Sequence, residues 1–406
     1  MSKRFVIVGG GQAGFAFADE LRRKDKESAI TLLCEEAELP YQRPPLSKQY
    51  VKDDASRDRL FFRDTDWFDR KDIEVRTSAG VAGIDRQSKQ VALAGGESCA
   101  YDMLMLATGS TPRQLPVKIG GGLSGVLTVR NISDADQLRD TLAPGKRILV
   151  VGGGYIGLEA AAVARSFDCE VRVVEMAERI LRRVACTETS NYFRTLHQSN
   201  GVVVNESLGL DHLEGDAGNV AKAFFTNGES MHVDAVVVGI GIEPNVQLAV
   251  DAGLVIDNGI AVNQFAQTSD ELIYSAGDCA SFDWRGSRIR LESVQNAVDQ
   301  AKAAAQHACG VGKPYDPTPW FWSDQYDVKL QIAGLNTGFD KIVRRTGSRK
   351  EGESFWYFKG DQLLALDAMN DAKTYVMGRK VLELGKPISP KQVADASVDL
   401  KLIATS

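Results

Sequence analysis

The run Phe5-Val6-Ile7-Val8-Gly9-Gly10-Gly11-Gln12-Ala13-Gly14 joins four apolar residues directly to a glycine turn. Four consecutive apolar residues suit a strand buried on both faces. The turn has the form GxGxxG, and from Phe15 to Arg23 small and apolar residues recur at helical spacing. In a strand–turn–helix of this kind the first glycine (Gly9) permits the tight turn. The second (Gly11) lets the backbone approach a pyrophosphate, and the third (Gly14) lets the helix pack closely on the strand. The helix N-terminus then faces the phosphate charge. A second strand, Ala29 to Leu33, leads to Glu35, a carboxylate placed to bind both hydroxyls of an adenosine ribose.

The pattern is written a second time. Arg147 to Val151 reads as a strand, Gly152-Gly153-Gly154-Tyr155-Ile156-Gly157 as the turn and Leu158 to Ser166 as the helix. Glu170 to Val174 is the following strand, ending at Glu175. Gly152, Gly154 and Gly157 repeat the three glycine roles. A single GxGxxG is a weak signal, but two complete copies, each with strand, helix and acidic terminus in place, point to two dinucleotide sites in one chain. Each copy has a further strand ending in a small-residue turn: Asp102 to Ala107-Thr108-Gly109 in the first, Asp234 to Gly239-Ile240-Gly241 in the second. Leu272 to Gly277-Asp278 is another strand with a terminal carboxylate, suited to a ribityl hydroxyl.

Composition narrows the class. The chain has 406 residues, 44% hydrophobic and 25% charged, with a formal net charge of −6. This length suits two or three domains, and a mildly acidic chain is a poor general binder of nucleic acid. The longest apolar runs, such as Val233 to Ile242, are about half of what a spanning helix needs, so no membrane span is expected. The N-terminal residues enter a strand at once with no leader pattern, which predicts a cytoplasmic protein. The six cysteines (Cys34, Cys99, Cys169, Cys186, Cys279, Cys309) form no Cys-x-x-Cys or Cys-x4-Cys pair. That pattern argues against a disulfide framework, a metal site or a cysteine-ligated cluster. The four histidines (His197, His212, His232, His307) show no ligand spacing and read as structural or exposed.

With these motifs the chain resembles the FAD-dependent pyridine nucleotide reductases of class I, and within them the ferredoxin reductases that feed bacterial oxygenases. Besides the two fingerprints, the resemblance rests on Pro40-Tyr41-Gln42-Arg43-Pro44-Pro45-Leu46-Ser47-Lys48 and Tyr274-Ser275-Ala276-Gly277-Asp278-Cys279. It also rests on Glu292-Ser293-Val294-Gln295-Asn296-Ala297 and Trp320-Phe321-Trp322-Ser323-Asp324-Gln325. It covers essentially the whole chain. It implies an α/β fold of two Rossmann-like nucleotide-binding domains (glutathione-reductase-like) plus a C-terminal α+β domain. The FAD-binding domain would span 1–112 and 244–316, the NAD-binding domain 113–243 and the C-terminal domain 317–406.

The resemblance also implies site roles. Arg43 and Pro44 would line the FAD, with Arg43 near the pyrophosphate, and Val81, Ala107, Thr108, Gly109, Gly277, Asp278, Val294 and Gln295 would complete its pocket. Lys48 would reach the flavin N5 edge and pair with Glu159, close to the nicotinamide; these two are the expected catalytic residues. Ile156 would border the nicotinamide beside Tyr155, Gly241 would close the NAD site, and Trp322 would stack near the flavin ring. Residues read directly support parts of this. Glu159 lies among small and apolar helix neighbours, where a carboxylate wants a partner. Gln295 and Asn296 open a helix whose N-terminal amides favour negative charge.

Glu175 bears on the nicotinamide cofactor. A carboxylate accepts from the 2′-hydroxyl of NADH and repels the 2′-phosphate of NADPH, so NADH is expected, although Arg179, Arg182 and Arg183 follow. Disulfide reductases of this fold carry a cysteine pair after the first acidic strand end, where this chain has Pro44-Pro45-Leu46-Ser47. Electrons therefore leave the flavin directly, and a [2Fe-2S] ferredoxin is the expected acceptor, with an oxygenase beyond it. An acidic ferredoxin needs a basic patch. Arg285, Arg288 and Arg290 lie beside the flavin-edge segment, with Arg288 and Arg290 the expected docking point; Arg344, Arg345, Arg349 and Lys350 form a second cluster. Alternatives are a rubredoxin or monodehydroascorbate-type reductase, which shares both fingerprints, and a flavin-bound signalling protein.

Overall fold

Val8 and Val151 each end a strand flanked by parallel partners on both sides, and the polypeptide around each is a separate compact unit in the computed structural model. The structure describes residues 2–52, 56–347 and 352–405. One unit comprises Met1–Arg43, Ser56–Thr111 and Ile242–Pro317; the other comprises Pro44–Ala55, Pro112–Gly241 and Thr318–Ser406.

The first unit is built on a five-stranded parallel sheet in the order Ile273–Ser275, Met103–Leu106, Arg4–Val8, Ala29–Leu33, Ile73–Arg76. Alternate residues of Phe5-Val6-Ile7-Val8 enter opposite cores. Phe5 and Ile7 pack with Phe17, Leu21, Tyr274 and the alanines of helix Val294–Ala308. Val6 and Val8 pack with Val91, Leu104, Leu106 and Ile273 on the other side. This double burial is why the strand is uninterruptedly apolar. Helix Gln12–Lys24 starts inside the glycine turn and lies against helix Val294–Ala308, both lined with alanine where they meet. A three-stranded antiparallel sheet begins at Val81, the first residue of Val81–Asp85.

The second unit repeats the sheet in the order Val126–Leu127, Ala235–Val238, Arg147–Val151, Glu170–Glu175, Val203–Glu206, again all parallel. Helix Tyr155–Ser166 follows its glycine turn. The central strands match in every neighbour, but the far edge strand is drawn from late in the chain in the first sheet and from before the repeat in the second. The second unit also holds a five-stranded antiparallel sheet in the order Trp320–Gln325, Val328–Gly334, Gln362–Met369, Glu353–Lys359, Lys341–Thr346. Helices Ala372–Glu383, Pro390–Ala394 and Leu400–Thr405 close it over a core containing Trp356, Phe358, Leu366 and Val381. Trp320–Gln325, read above only as a motif, is the first strand of this sheet. Among the described residues no helix is long and apolar enough to cross a membrane.

Candidate functional site

In the first unit the glycine turn has the stereochemistry its sequence demands. Gly9 has φ of 109°, a left-handed value that favours glycine, and a Cβ there would lie 2.2 Å from the Ala107 carbonyl oxygen. A Cβ on Gly14 would lie 1.9 Å from the Gly9 carbonyl oxygen. At Gly11, by contrast, a Cβ would meet nothing within 4 Å. Packing inside the protein explains Gly9 and Gly14 but not Gly11; that glycine leaves open space beside the helix N-terminus, the room a dinucleotide pyrophosphate requires.

The other expected first-unit residues gather at the same C-terminal edge of the sheet. Ala107, Thr108 and Gly109 follow strand Met103–Leu106, with Thr108 Oγ1 donating to the Asn245 carbonyl at 2.6 Å and the Asn245 amide returning to Thr108 O at 3.0 Å. Gly277, with φ of 85°, follows Ile273–Ser275, and its amide donates to Gln300 Oε1 at 3.0 Å. The next residue, Asp278, accepts from Ser110 Oγ at 2.8 Å. Val294 and Gln295 open helix Val294–Ala308, capped by Ser293, and the Gln295 side chain bonds to Asp299. Glu35 is exposed two residues beyond its strand. Arg43 pairs with Glu36 at 2.5 Å and stacks over the Tyr41 ring at 5.0 Å. Val81 is half-buried.

The second unit repeats the turn. Gly152 has φ of 106° and a Cβ there would lie 2.5 Å from the Gly239 carbonyl oxygen; a Cβ on Gly157 would lie 2.1 Å from Gly152 O. A Cβ on Gly154 would come no nearer than 3.8 Å to any atom, so the same opening is present. Glu175 ends its strand with one carboxylate oxygen accepting from Gly153 N at 2.7 Å and the other from Ala177 N at 2.7 Å. Gly241 has φ of 109° and accepts from Arg113 N at 3.0 Å. Of the three arginines that follow Glu175, Arg179 bonds Ser190 Oγ at 2.6 Å, Arg182 pairs with Glu178 at 3.0 Å, and Arg183 reaches toward Gly241.

Lys48 and Glu159 are brought together in this unit. Lys48 Nζ stands 3.1 Å from Glu159 Oε1, with side-chain exposures of 11% and 4%. A buried carboxylate without a cation would be costly; two hydroxyls further support this one, and a second carboxylate shares its cation. Ser47 Oγ donates to Oε2 at 2.9 Å, Ser323 Oγ donates to Oε1 at 2.7 Å, and Asp324 shares Lys48 at 3.4 Å. Burial pushes the Glu159 carboxyl above the ordinary carboxylate range, while Lys48 and the two hydroxyls oppose that rise. Trp322 places its ring 5.7 Å from Lys48 Nζ. Ile156 lies 44% exposed in the first helical turn, and the Tyr155 ring packs 4.9 Å from Phe321 with its hydroxyl buried. Ser47, Ser323, Asp324, Gln325 and His197 escaped the functional reading. Ser323 and Gln325 did carry one signal: two polar residues on the buried face of an alternating strand.

The described arginines of the two basic clusters are engaged with partners in the structure. Arg290 is 12% exposed, pairs with Glu292 at 2.7 Å and donates to Asp278 O at 3.1 Å. Arg288 pairs with Asp283 at 2.9 Å and Asp257 at 3.4 Å. Glu292 and Asp283 lie close to these arginines in sequence, whereas Asp257 is brought to Arg288 from a distant loop. In the C-terminal cluster, Arg345 is buried and donates to backbone carbonyls, including those of Asp395 at 2.7 Å and Val398 at 2.8 Å, and Arg344 pairs with Glu353. Arg349 and Lys350 lie outside the described residues. The cysteines, by contrast, are all unpaired as expected, and burial pushes the Cys34 thiol up to about 12, which keeps it protonated and unreactive.

Comparison with known proteins agrees with this architecture. Residues 3–301 match the model of the pyridine nucleotide-disulphide oxidoreductases, and residues 320–404 match that of the reductase C-terminal domain. Rhodocoxin reductase of Rhodococcus erythropolis is 42% identical over 400 residues, covering 98% of this chain and 93% of that one. The ferredoxin reductase for the CYP199A2 system of Rhodopseudomonas palustris superposes with a TM-score of 0.96 at 40% identity, covering 100% of both chains. The reductase in a covalent putidaredoxin reductase–putidaredoxin complex gives 0.95 at 37% identity, covering 99% of this chain and 98% of that one. The doubled glycine turn with its two parallel sheets, followed by a reductase C-terminal domain, places the chain: it belongs to the pyridine nucleotide-disulphide oxidoreductase family.

Proposed function

We propose that the chain is an FAD-dependent NADH:ferredoxin reductase that supplies electrons, through a [2Fe-2S] ferredoxin, to an oxygenase. The observation that carries the dinucleotide part is the open space at Gly11 and Gly154, each beside a helix N-terminus, where no protein atom accounts for the missing side chain. On this reading residues 1–112 and 244–316 form the FAD domain, 113–243 the NADH domain and 317–406 the C-terminal domain. Bound FAD supplies the capacity to accept a hydride and release its two electrons singly. Gly9, Gly11 and Gly14 would hold its pyrophosphate, Glu35 its adenosine ribose and Asp278 its ribityl chain.

In the second nucleotide domain Gly152, Gly154 and Gly157 would bind the NADH pyrophosphate and Glu175 the ribose. The Glu175 carboxylate, already accepting two backbone amides, has lone pairs left for a ribose hydroxyl. Ile156 would present an apolar face to the nicotinamide, with Glu159 fixing Lys48 at that end of the site. No cysteine is placed to relay electrons as a thiolate, in keeping with direct transfer to a protein acceptor. The partner class follows the relatives: a putidaredoxin reductase captured with putidaredoxin, and a ferredoxin reductase for the CYP199A2 system. NADH is a cytoplasmic nucleotide, and the cytoplasm is the proposed location.

Anaerobic stopped-flow tests this reading. The purified protein should carry FAD, lose its visible absorbance on mixing with NADH, and recover it on transferring electrons to an oxidised [2Fe-2S] ferredoxin. Bleaching followed by transfer to rubredoxin or a quinone, and to no ferredoxin, would replace the acceptor while keeping the NADH–flavin core.

A further inference from the structure

Behind Glu159 a line of buried polar side chains runs away from Lys48 through the second unit. Ser323 and Gln325, on one face of strand Trp320–Gln325, and His197, on helix Thr187–Ser199, are each fully buried. Gln325 Nε2 lies 3.1 Å from Ser323 Oγ, His197 Nε2 lies 2.8 Å from Gln325 Oε1, and Tyr326 Oη lies 3.1 Å from His197 Nδ1. The Tyr326 ring also packs edge-on against the imidazole, with centroids 5.1 Å apart.

The direction of every bond in this line follows from its first member. Glu159 Oε1 faces the Lys48 ammonium, so it carries no proton and can only accept; Ser323 must donate to it. With its hydrogen committed, Ser323 Oγ can only accept from its other neighbour, which fixes the Gln325 NH2 on that side. The Gln325 carbonyl then faces His197 and requires a proton on Nε2. Burial keeps the imidazole neutral by lowering its affinity for a second proton. Nδ1 is therefore an acceptor, and the Tyr326 hydroxyl donates to it. An amide in the middle of the line makes it unsuited to carrying a proton, so its consequence is orientation and polarity: each dipole points its positive end toward Glu159.

We propose that His197 is a positioning residue for the Lys48–Glu159 pair, acting through a one-way relay from Tyr326 through His197, Gln325 and Ser323. It holds the carboxylate in the rotamer that meets Lys48. The relay's bearing on hydride delivery rests on the function proposed above; its polarity does not.

Histidine ring 15N spectra of the full-length FAD-loaded protein test it. Only four histidines are present, and His197→Phe identifies the resonances. The wild-type protein should show His197 as a neutral, single Nε2–H tautomer. Ser323→Ala, a change in the adjacent strand that leaves the ring's own contacts intact, should release the Gln325 amide to rotate and bring in the Nδ1–H form. A charged ring or an Nδ1–H tautomer in the wild type would overturn the relay, as would a single Nε2–H tautomer persisting in Ser323→Ala. In the same proteins His197→Phe and Ser323→Ala should slow flavin reduction by NADH about tenfold, the scale of one hydrogen bond to a charged group. His197→Gln, which restores an N–H donor toward Gln325, should recover most of that loss. A locked tautomer in a protein that NADH does not reduce would support the relay and count against the proposed function instead. A locked tautomer with unchanged reduction rates in both variants would overturn the positioning role.

Discussion

The two glycine-turn copies can be laid on one another residue by residue, because in each the last residue of the first strand sits between two parallel partners. Val8 pairs with Leu33 and Leu106; Val151 pairs with Val174 and Val238. Arg4 then falls on Arg147 and Asp102 on Asp234, and both arginines grip their aspartates by the same three bonds, from the backbone amide and two guanidinium nitrogens. The differences lie where chemistry would. Ala16 in the first copy corresponds to Glu159 in the second. Cys34, whose sulfur lies under Gly10, corresponds to Glu175, whose carboxylate accepts from Gly153 N. Glu35 corresponds not to Glu175 but to Met176, which is 81% exposed. Both turns leave the same opening beside a helix N-terminus. The second copy adds a buried carboxylate–ammonium pair in its own unit and a carboxylate tied into its turn.

The largest expected effect tests the Ala16–Glu159 difference. Lys48→Met leaves Glu159 buried without its cation, and stability should fall by about 3–5 kcal/mol. Lys48→Met/Glu159→Leu together should recover much of this in denaturant titrations while flavin reduction by NADH stays lost. No gain in stability from the double change would mean the pair is not the reason for the cost.

The turn-facing position comes next. Glu175→Ala leaves the Gly153 amide without its acceptor and should cost about 1–3 kcal/mol as well as raising KM for NADH. Cys34→Ala at the matching position should change stability by a small-cavity amount and leave KM for NADH unaltered. Equal effects on KM from both would break the contrast. The one-residue offset makes a narrower prediction. Met176→Arg, at the exposed position, should raise the preference for NADPH over NADH roughly tenfold, about 1.4 kcal/mol. Glu175→Arg should lose stability along with any such shift. Steady-state kcat/KM for both cofactors decides it; a larger, stability-neutral shift from Glu175→Arg would restore the carboxylate as the discriminating residue.

The matched Arg–Asp clamps predict a shared acid response. The Arg4 side chain and amide hold Asp102 at about 2, and Arg147 does the same for Asp234, also at about 2. A folded-state value below the unfolded one gives stability that is present above the unfolded value, near 3.9, and lost as pH falls through the folded value. Stability should therefore drop between about pH 4 and 2, and Asp102→Asn or Asp234→Asn should each flatten that drop. Both clamps are part-exposed, so the effect is modest and salt-sensitive. Smallest of all, Arg288→Ala should alter ferredoxin reduction little, since its charge is already matched by Asp257 and Asp283. A steep loss of transfer with intact ferricyanide reduction would reinstate it as a docking residue.

Much of this was legible in the residues themselves. The repeated strand–turn–helix was visible because both central strands are buried on two faces and because Gly14 and Gly157 each pack against the carbonyl of their own turn, although Gly9 and Gly152 are also held to glycine by the distant Ala107 and Gly239 carbonyls. Lys48 and Glu159 were legible only through resemblance, because their meeting depends on how segments far apart in the sequence fold together. His197 left no sign: its partner Gln325 lies 128 residues away on a strand that was itself unread. One ion pair of the arginine clusters was hidden for the same reason, since Asp257 reaches Arg288 from another element of the fold.

The central claim is that the first copy retains the flavin nucleotide and the second receives NADH, and one paired measurement tests it most directly. Bound FAD and anaerobic bleaching by NADH would be recorded for Gly14→Ala and Gly157→Ala, each of which drives a Cβ into the carbonyl of its own turn. The account predicts that Gly14→Ala is purified without FAD, whereas Gly157→Ala keeps FAD, is bleached by dithionite and is not bleached by NADH. Loss of FAD from Gly157→Ala with retention in Gly14→Ala, or wild-type bleaching of Gly157→Ala by NADH, would contradict it.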